Sequence, residues 1–302
     1  MSDASSAPSP VPSPFSLKRV IFATDFSQCS ANAGKYAALM ARQFGADLLV
    51  VHTFVLSQAA MEVESERHGL QKSAQRADFE AALRLEAEQL GEDLRHAETM
   101  LLEGDPQEKI PELARQNGPS LIVLGTQGRG RFGRAMLGST SEKILRSAGG
   151  PALTVGPHVP ACCEGDPPIR RVLFATGLSA GAARGAACAV GMAEAFHAQM
   201  DVLHVIHPED VHEPGSLTLA QQQFRAAIEE MIPHHAGPIV EPRGVVATGS
   251  AHTRILEHIR ENAIDLLVLS LRRSSHLWLE SRLSGAFNIV IDAPCPVMTI
   301  VG

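Results

Sequence analysis

The sequence predicts an α/β protein built from two copies of a doubly wound parallel sheet. Short runs rich in Val, Ile and Leu alternate with longer segments of helical period. Runs of that kind are strands buried on both faces, and strict alternation with helices implies parallel crossovers. The order of the elements then repeats once along the chain. With 302 residues, 45% of them apolar, the chain is long enough for two cores of its own.

The first 16 residues, MSDASSAPSPVPSPFS, are dominated by Ser and Pro and read as a flexible tail. They lack the basic and apolar regions of a signal peptide. Residues 20–23 make the first strand, and Thr24-Asp25-Phe26-Ser27 turns into a helix. Ala33, Tyr36, Ala37, Met40, Ala41 and Phe44 recur at helical spacing until Gly45 ends it. Residues 47–53 contain LLVV, a second strand. Leu83, Ala87, Leu90 and Leu94 step by four, three and four, predicting an amphipathic helix over about 72–96. A third strand is expected at 98–102, and Gly104-Asp105-Pro106 turns into the helix of Ile110, Leu113 and Ala114. Residues 121–124 form the fourth strand, 139–147 a helix, and 151–155 a short fifth strand.

The second copy follows the first closely. RVIFATDFS at 19–27 returns as RVLFATGLS at 171–179, an offset of 152. Gly104 returns as Gly249 and Pro151 as Pro296, each at an offset of 145, and His52 is matched by His204. Shared order at near-constant offset means duplication. The division is a tail at 1–16, a first domain at 17–157, a turn-rich linker at 158–168 (HVPACCEGDPP), and a second domain at 169–302.

One stretch reads as a site: GTQGRGRFGRAMLGSTSE at 125–142, between the fourth strand and the next helix. Gly125, Gly128 and Gly138 allow tight turning and close approach of a ligand to the backbone. Ser139 and Thr140 suit a helix N-cap, with Glu142 placed as in a capping box. A helix start exposes N–H groups and a positive dipole end, an anion site. Arg129, Arg131 and Arg134 are suited to phosphate. The same pattern is compatible with a Gly-rich surface turn and a capped helix. Gly128-x-Gly130-x-x-Gly133 matches a dinucleotide fingerprint but follows a late strand, and a Gly-Lys-Ser/Thr triplet is lacking.

The spacing Gly125-x2-Gly128-x9-Gly138-Ser139 resembles the nucleotide-binding signature of the universal stress protein family. The resemblance covers nearly the whole chain, as a tandem member with Rossmann-like, five-stranded domains. It implies that the loop holds the ribose and phosphates of ATP, with Arg129 and Thr140 beside the glycines and Ser139. It also implies that Asp25 sits near adenine and ribose, and that Ala23, Thr24 and Thr53 lie around the base. Asp25 is equally suited to cap a helix. Mg²⁺ or Mn²⁺ would accompany the phosphates. Domains of this family pair through their last strands, so 151–155 and 297–301 are expected to pair within the chain, a homodimer being a further possibility. Pairing covers an apolar edge.

In the second copy Gly177 replaces Asp25, Ser270 replaces Gly125, Arg273 replaces Gly128 and Leu283 replaces Gly138; Ser284 alone survives. Side chains there are expected to crowd a nucleotide, so one ATP per chain is expected. The reading is a stress-response sensor or regulator, with slow hydrolysis at most. The alternatives are an interaction module inert to nucleotide, and a weak ATPase or adenylyl-transfer enzyme.

Composition limits the remaining classes. The formal charge of −7 argues against a nucleic-acid partner. No apolar run reaches the length of a membrane span. The five cysteines, Cys29, Cys162, Cys163, Cys188 and Cys295, form no disulfide framework, which fits a cytoplasmic protein. His158 with Cys162 and Cys163 lacks the spacing of a zinc site, and no catalytic Ser-His-Asp or paired-carboxylate set stands out.

Overall fold

A computed structural model describes residues 15–55, 66–91, 96–116, 118–127, 137–162, 169–178, 182–210, 216–232, 241–271 and 279–301. Most of the expected tail, part of the linker, Gly128, Arg129, Arg131, Arg134, Cys163 and Arg273 lie outside the described residues.

The first copy runs β1 (Arg19–Ala23), α1 (Gln28–Phe44), β2 (Asp47–Phe54), α2 (Glu66–Gln89), β3 (Ala97–Glu103), α3 (Pro106–Gln116), β4 (Ser120–Gly125), α4 (Ser139–Ser147) and β5 (Ala152–Val155). The second runs β6 (Arg171–Ala175), α5 (Ala182–Phe196), β7 (Gln199–Ile206), α6 (Ser216–Met231), β8 (Arg243–Thr248), α7 (Ala251–Glu261), β9 (Leu266–Leu271), α8 (Leu279–Asp292) and β10 (Val297–Val301). The strands form one ten-stranded sheet in the order β3-β2-β1-β4-β5-β10-β9-β6-β7-β8. Among the described residues every pairing within a copy is parallel, and β5 with β10 is the one antiparallel pair.

The expected pairing of the last strands is therefore present, with Val297 opposite Thr154 and Thr299 opposite Ala152. It removes two apolar edges and merges the cores. Alternating residues of β1 face opposite ways: Val20 and Phe22 join a cluster with Ala37 and Met40 of α1, while Ile21 joins Ile110 and Leu145 on the other face. Each cluster continues into the second copy, the first to Phe174 and Ala189, the second to Ile255 and Leu267. Burying one side chain of this size contributes about 1.5–3 kcal/mol.

One helix differs from its expectation. α2 begins at Glu66 and ends at Gln89, not at 96. Gly91 adopts φ +109, which no continuing helix tolerates. Gly45 does end α1, in the left-handed conformation with its N–H on the Ala41 and Arg42 carbonyls.

The sheet order steps from β1 to β2 on one side and from β1 to β4 on the other. Loops leaving β1 and β4 part at that point, which opens a crevice at the carboxyl ends of the strands.

Candidate functional site

The crevice is a cleft of about 370 Å³. Its floor is apolar, from Val51, Leu124, Ile110 and Ile144, and its rim is polar. Ala23, Thr24, Asp25, Thr53, Gly125, Gly138, Ser139 and Thr140 all line it. The fold thus brings together residues taken from four separate segments of the sequence. Gly128 and Arg129 lie outside the described residues.

The β1 end is a tight turn held by side chains. The Thr24 amide extends the ladder to the Val51 carbonyl, at 2.9 Å. Phe26 has φ +60, uncommon for a side chain of its size. Its amide donates to the Thr24 hydroxyl at 2.9 Å, and that hydroxyl donates to Glu86 Oε1 at 3.1 Å. His52 Nδ1 lies 2.8 Å from the Thr24 carbonyl, so that nitrogen carries the proton. Ser27 Oγ accepts from the Ser30 amide and is the N-cap of α1. The cap is therefore Ser27, not Asp25. Asp25 Oδ1 accepts from the Ser27 amide at 3.0 Å. Among the described residues its Oδ2 has no hydrogen-bond partner, which leaves that oxygen for the cleft.

The β4 end is pinned as well. The Gly138 amide donates to the Thr126 carbonyl at 2.8 Å, joining the two ends of the loop. Ser141 Oγ donates to the Gly125 carbonyl at 2.9 Å. Gly138, at φ −60, is the N-cap of α4 and offers no side-chain cap. Ser139 is consequently the first helical residue. The capping box does not form, because Glu142 instead pairs with Arg146 one turn on, at 2.6 Å. The first-turn amides of α4 have no intrahelical acceptor, and they open onto the cleft with the positive end of the helix dipole.

Gly125 plays a different part from the one expected of it, and neither it nor Gly138 serves a left-handed turn, since neither has a positive φ. A Cβ on Gly125 would come within 3.1 Å of the Cys29 backbone and 3.2 Å of the Ser30 amide nitrogen. Gly125 is bare so that the start of α1 can pack on the end of β4. A Cβ on Gly138 would meet nothing closer than 3.4 Å, so there the chain itself leaves open space.

Sequence reasoning missed Ser30, Gln127, Ser141, Pro106 and Ile110 as cleft residues. The Ser27-x-x-Ser30 spacing was a usable signal for the first of these. His52 matched His204 as a shared structural feature, and both rings do hold the carbonyl after strand one of their copy, His204 Nδ1 lying 2.9 Å from the Thr176 carbonyl. His52 also lines the cleft.

In the second copy the β6 turn is kept, with Leu178 at φ +55 and its amide on the Thr176 hydroxyl. Gly177 there provides no carboxylate. The Ser270 hydroxyl is turned toward Gly185 of α5. The larger difference lies in α8, which begins at Leu279, five residues ahead of Ser284, the counterpart of Ser139. Amides that are free in the first turn of α4 correspond to interior positions of α8, which are tied into the helix.

Among the described residues no three His, Cys, Asp or Glu side chains are grouped to hold a metal ion. No helix is long and apolar enough to cross a membrane among them.

Comparison with known proteins places the architecture. The model of a family described as the universal stress protein family matches twice, over residues 16–156 and 168–300. A universal stress protein of Thermus aquaticus is 33% identical over 139 residues, covering 46% of this chain and 98% of the relative. One from Methanocaldococcus jannaschii is 29% identical over 141 residues, covering 46% of this chain and 81% of the relative. The crystal structure of a universal stress protein from Archaeoglobus fulgidus superposes with a TM-score of 0.72 at 19% identity, covering 95% of this chain and 99% of that one.

Proposed function

The chain belongs to the universal stress protein family as a tandem member, and we propose that it binds one ATP, in the first copy, and acts as a nucleotide-responsive regulator. The observation that supports this most is the start of α4. It carries no side-chain cap and opens on a cleft whose opposite wall bears Asp25. A polyphosphate suits the free amides and dipole. Asp25 Oδ2 suits a ribose hydroxyl, and the apolar floor suits a base. Arg129 is assigned to the phosphates from its place in the loop.

Asp25 is the cleft's one acidic side chain among the described residues. The described residues therefore do not form a divalent-ion site, and Mg²⁺ or Mn²⁺ would arrive on the phosphates. The second copy serves as a structural partner or interaction surface. The cytoplasmic location and the domain limits 17–157 and 169–302 belong to the same proposal.

Isothermal titration of the full chain with ATP and Mg²⁺ tests it. One site per chain is expected, and Gly138→Val is expected to abolish it. Two sites, or no binding, would overturn the reading.

A further inference from the structure

α2 lies behind the cleft and touches its lining residues Thr24 and His52 through two side chains, Glu86 and Phe79. Phe79 packs on His52 with ring centres 4.7 Å apart and stacks with Phe26 at 6.3 Å. Glu86 accepts from the Thr24 hydroxyl, which in turn accepts from the Phe26 amide. Thr24 is buried, at 6% exposure. Its single hydroxyl proton is committed to the carboxylate, so its lone pairs face the Phe26 amide, and each bond polarises the next. Phe26 holds a left-handed conformation that persists only where its surroundings enforce it. Asp25 sits between these two tethered residues.

The second copy is an internal comparison. Phe224 takes the place of Phe79 and packs on His204 with ring centres 5.4 Å apart. Thr176 and Leu178 repeat the turn, at 3.2 Å. The position of Glu86 is taken by Met231, and that of Asp25 by Gly177. The copy that keeps a carboxylate in the turn keeps the acid behind it, and the copy without one has neither.

We propose that Glu86 is the positioning residue of the site: through the Thr24 hydroxyl it tightens the turn that aims Asp25 at the ligand, a turn that the second copy also forms but with the longer tie. Its ligand consequence rests on the nucleotide reading; the tie itself does not.

The test uses the full chain with Glu86→Met, which installs the residue of the second copy, and Glu86→Gln, which keeps an acceptor. Amide hydrogen exchange is read at Phe26, with Leu178 as the control in the same molecule. Glu86→Met is expected to speed Phe26 exchange about tenfold, toward the Leu178 rate, and to weaken ATP binding about tenfold, while Glu86→Gln restores both. An unchanged Phe26 rate in Glu86→Met would overturn the proposal, as would Glu86→Gln losing as much as Met. Glu86→Leu removes the same acceptor while leaving the Thr24 hydroxyl in place, and is read the same way if Glu86→Met does not fold. Should the unaltered chain take no ATP, the nucleotide reading falls and the exchange rates alone decide the tie.

Discussion

The Thr154 hydroxyl donates to the Val297 carbonyl at 3.0 Å across the β5–β10 seam. The repeat counterpart of Thr154, Thr299, donates to the Ala152 carbonyl at 3.3 Å, so the seam carries the same bond twice, related by the internal symmetry. Both hydroxyls are buried, at 1% exposure. Thr154→Val removes the donor and leaves a carbonyl without that bond. A loss of about 1–3 kcal/mol is expected, read by urea denaturation. Because the seam lies within one chain, the midpoint should not depend on protein concentration.

Two glycines of the cleft should separate folding from binding. Gly125→Ala places a methyl against the backbone of α1 and should cost about 1–3 kcal/mol of stability. Gly138→Val meets no protein atom closely at its Cβ and should leave the far-UV circular dichroism unchanged while ATP binding is lost. Unaltered affinity in the Gly138 variant would count against the pocket.

Asp201 lies at the foot of β7, bonded to His258 Nε2 at 2.8 Å and to Arg243 at 2.7 and 3.0 Å. Burial works to raise its carboxyl, but the bonds from His258 and Arg243 outweigh it and hold the group below the usual carboxylate range. A carboxyl lowered on folding adds stability that is present above its unfolded value and lost as pH falls through the folded one. The Asp201→Asn variant should therefore melt lower than the parent at neutral pH. The gap should close below roughly pH 4, the ordinary carboxylate range.

Thiol chemistry should divide the cysteines. Burial pushes the Cys295 thiol up to about 12, and it raises Cys188 further. Thiolate is the reactive form, so both should resist alkylation at pH 8 in the native chain. Cys29 and Cys162 are partly exposed and should label first. Peptide mass mapping after a short iodoacetamide pulse reads the difference.

The sheet was legible because buried strands announce themselves locally. LIVL at 121–124 and LLVV at 48–51 fall inside β4 and β2, and the 152 and 145 offsets carry the whole first copy onto the second. Helix ends were less legible. Ser139 and Glu142 carry the pattern of a capping box, yet Glu142 finds Arg146 on its own helix, and the cap falls to Gly138. A local pattern offers partners without choosing among them.

The sequence by itself determined the fold class, the duplication and the neighbourhood of the cleft, because apolar period, the internal repeat and glycine spacing are written locally along the chain, while the seam was expected from the family resemblance alone. Only the tertiary structure decided that Gly125 is bare for α1 and that Glu86 reaches Thr24 across 62 residues. It alone showed that α8 begins five residues ahead of Ser284, the counterpart of Ser139. These are contacts between distant segments, and their geometry exists only once the sheet has brought those segments together.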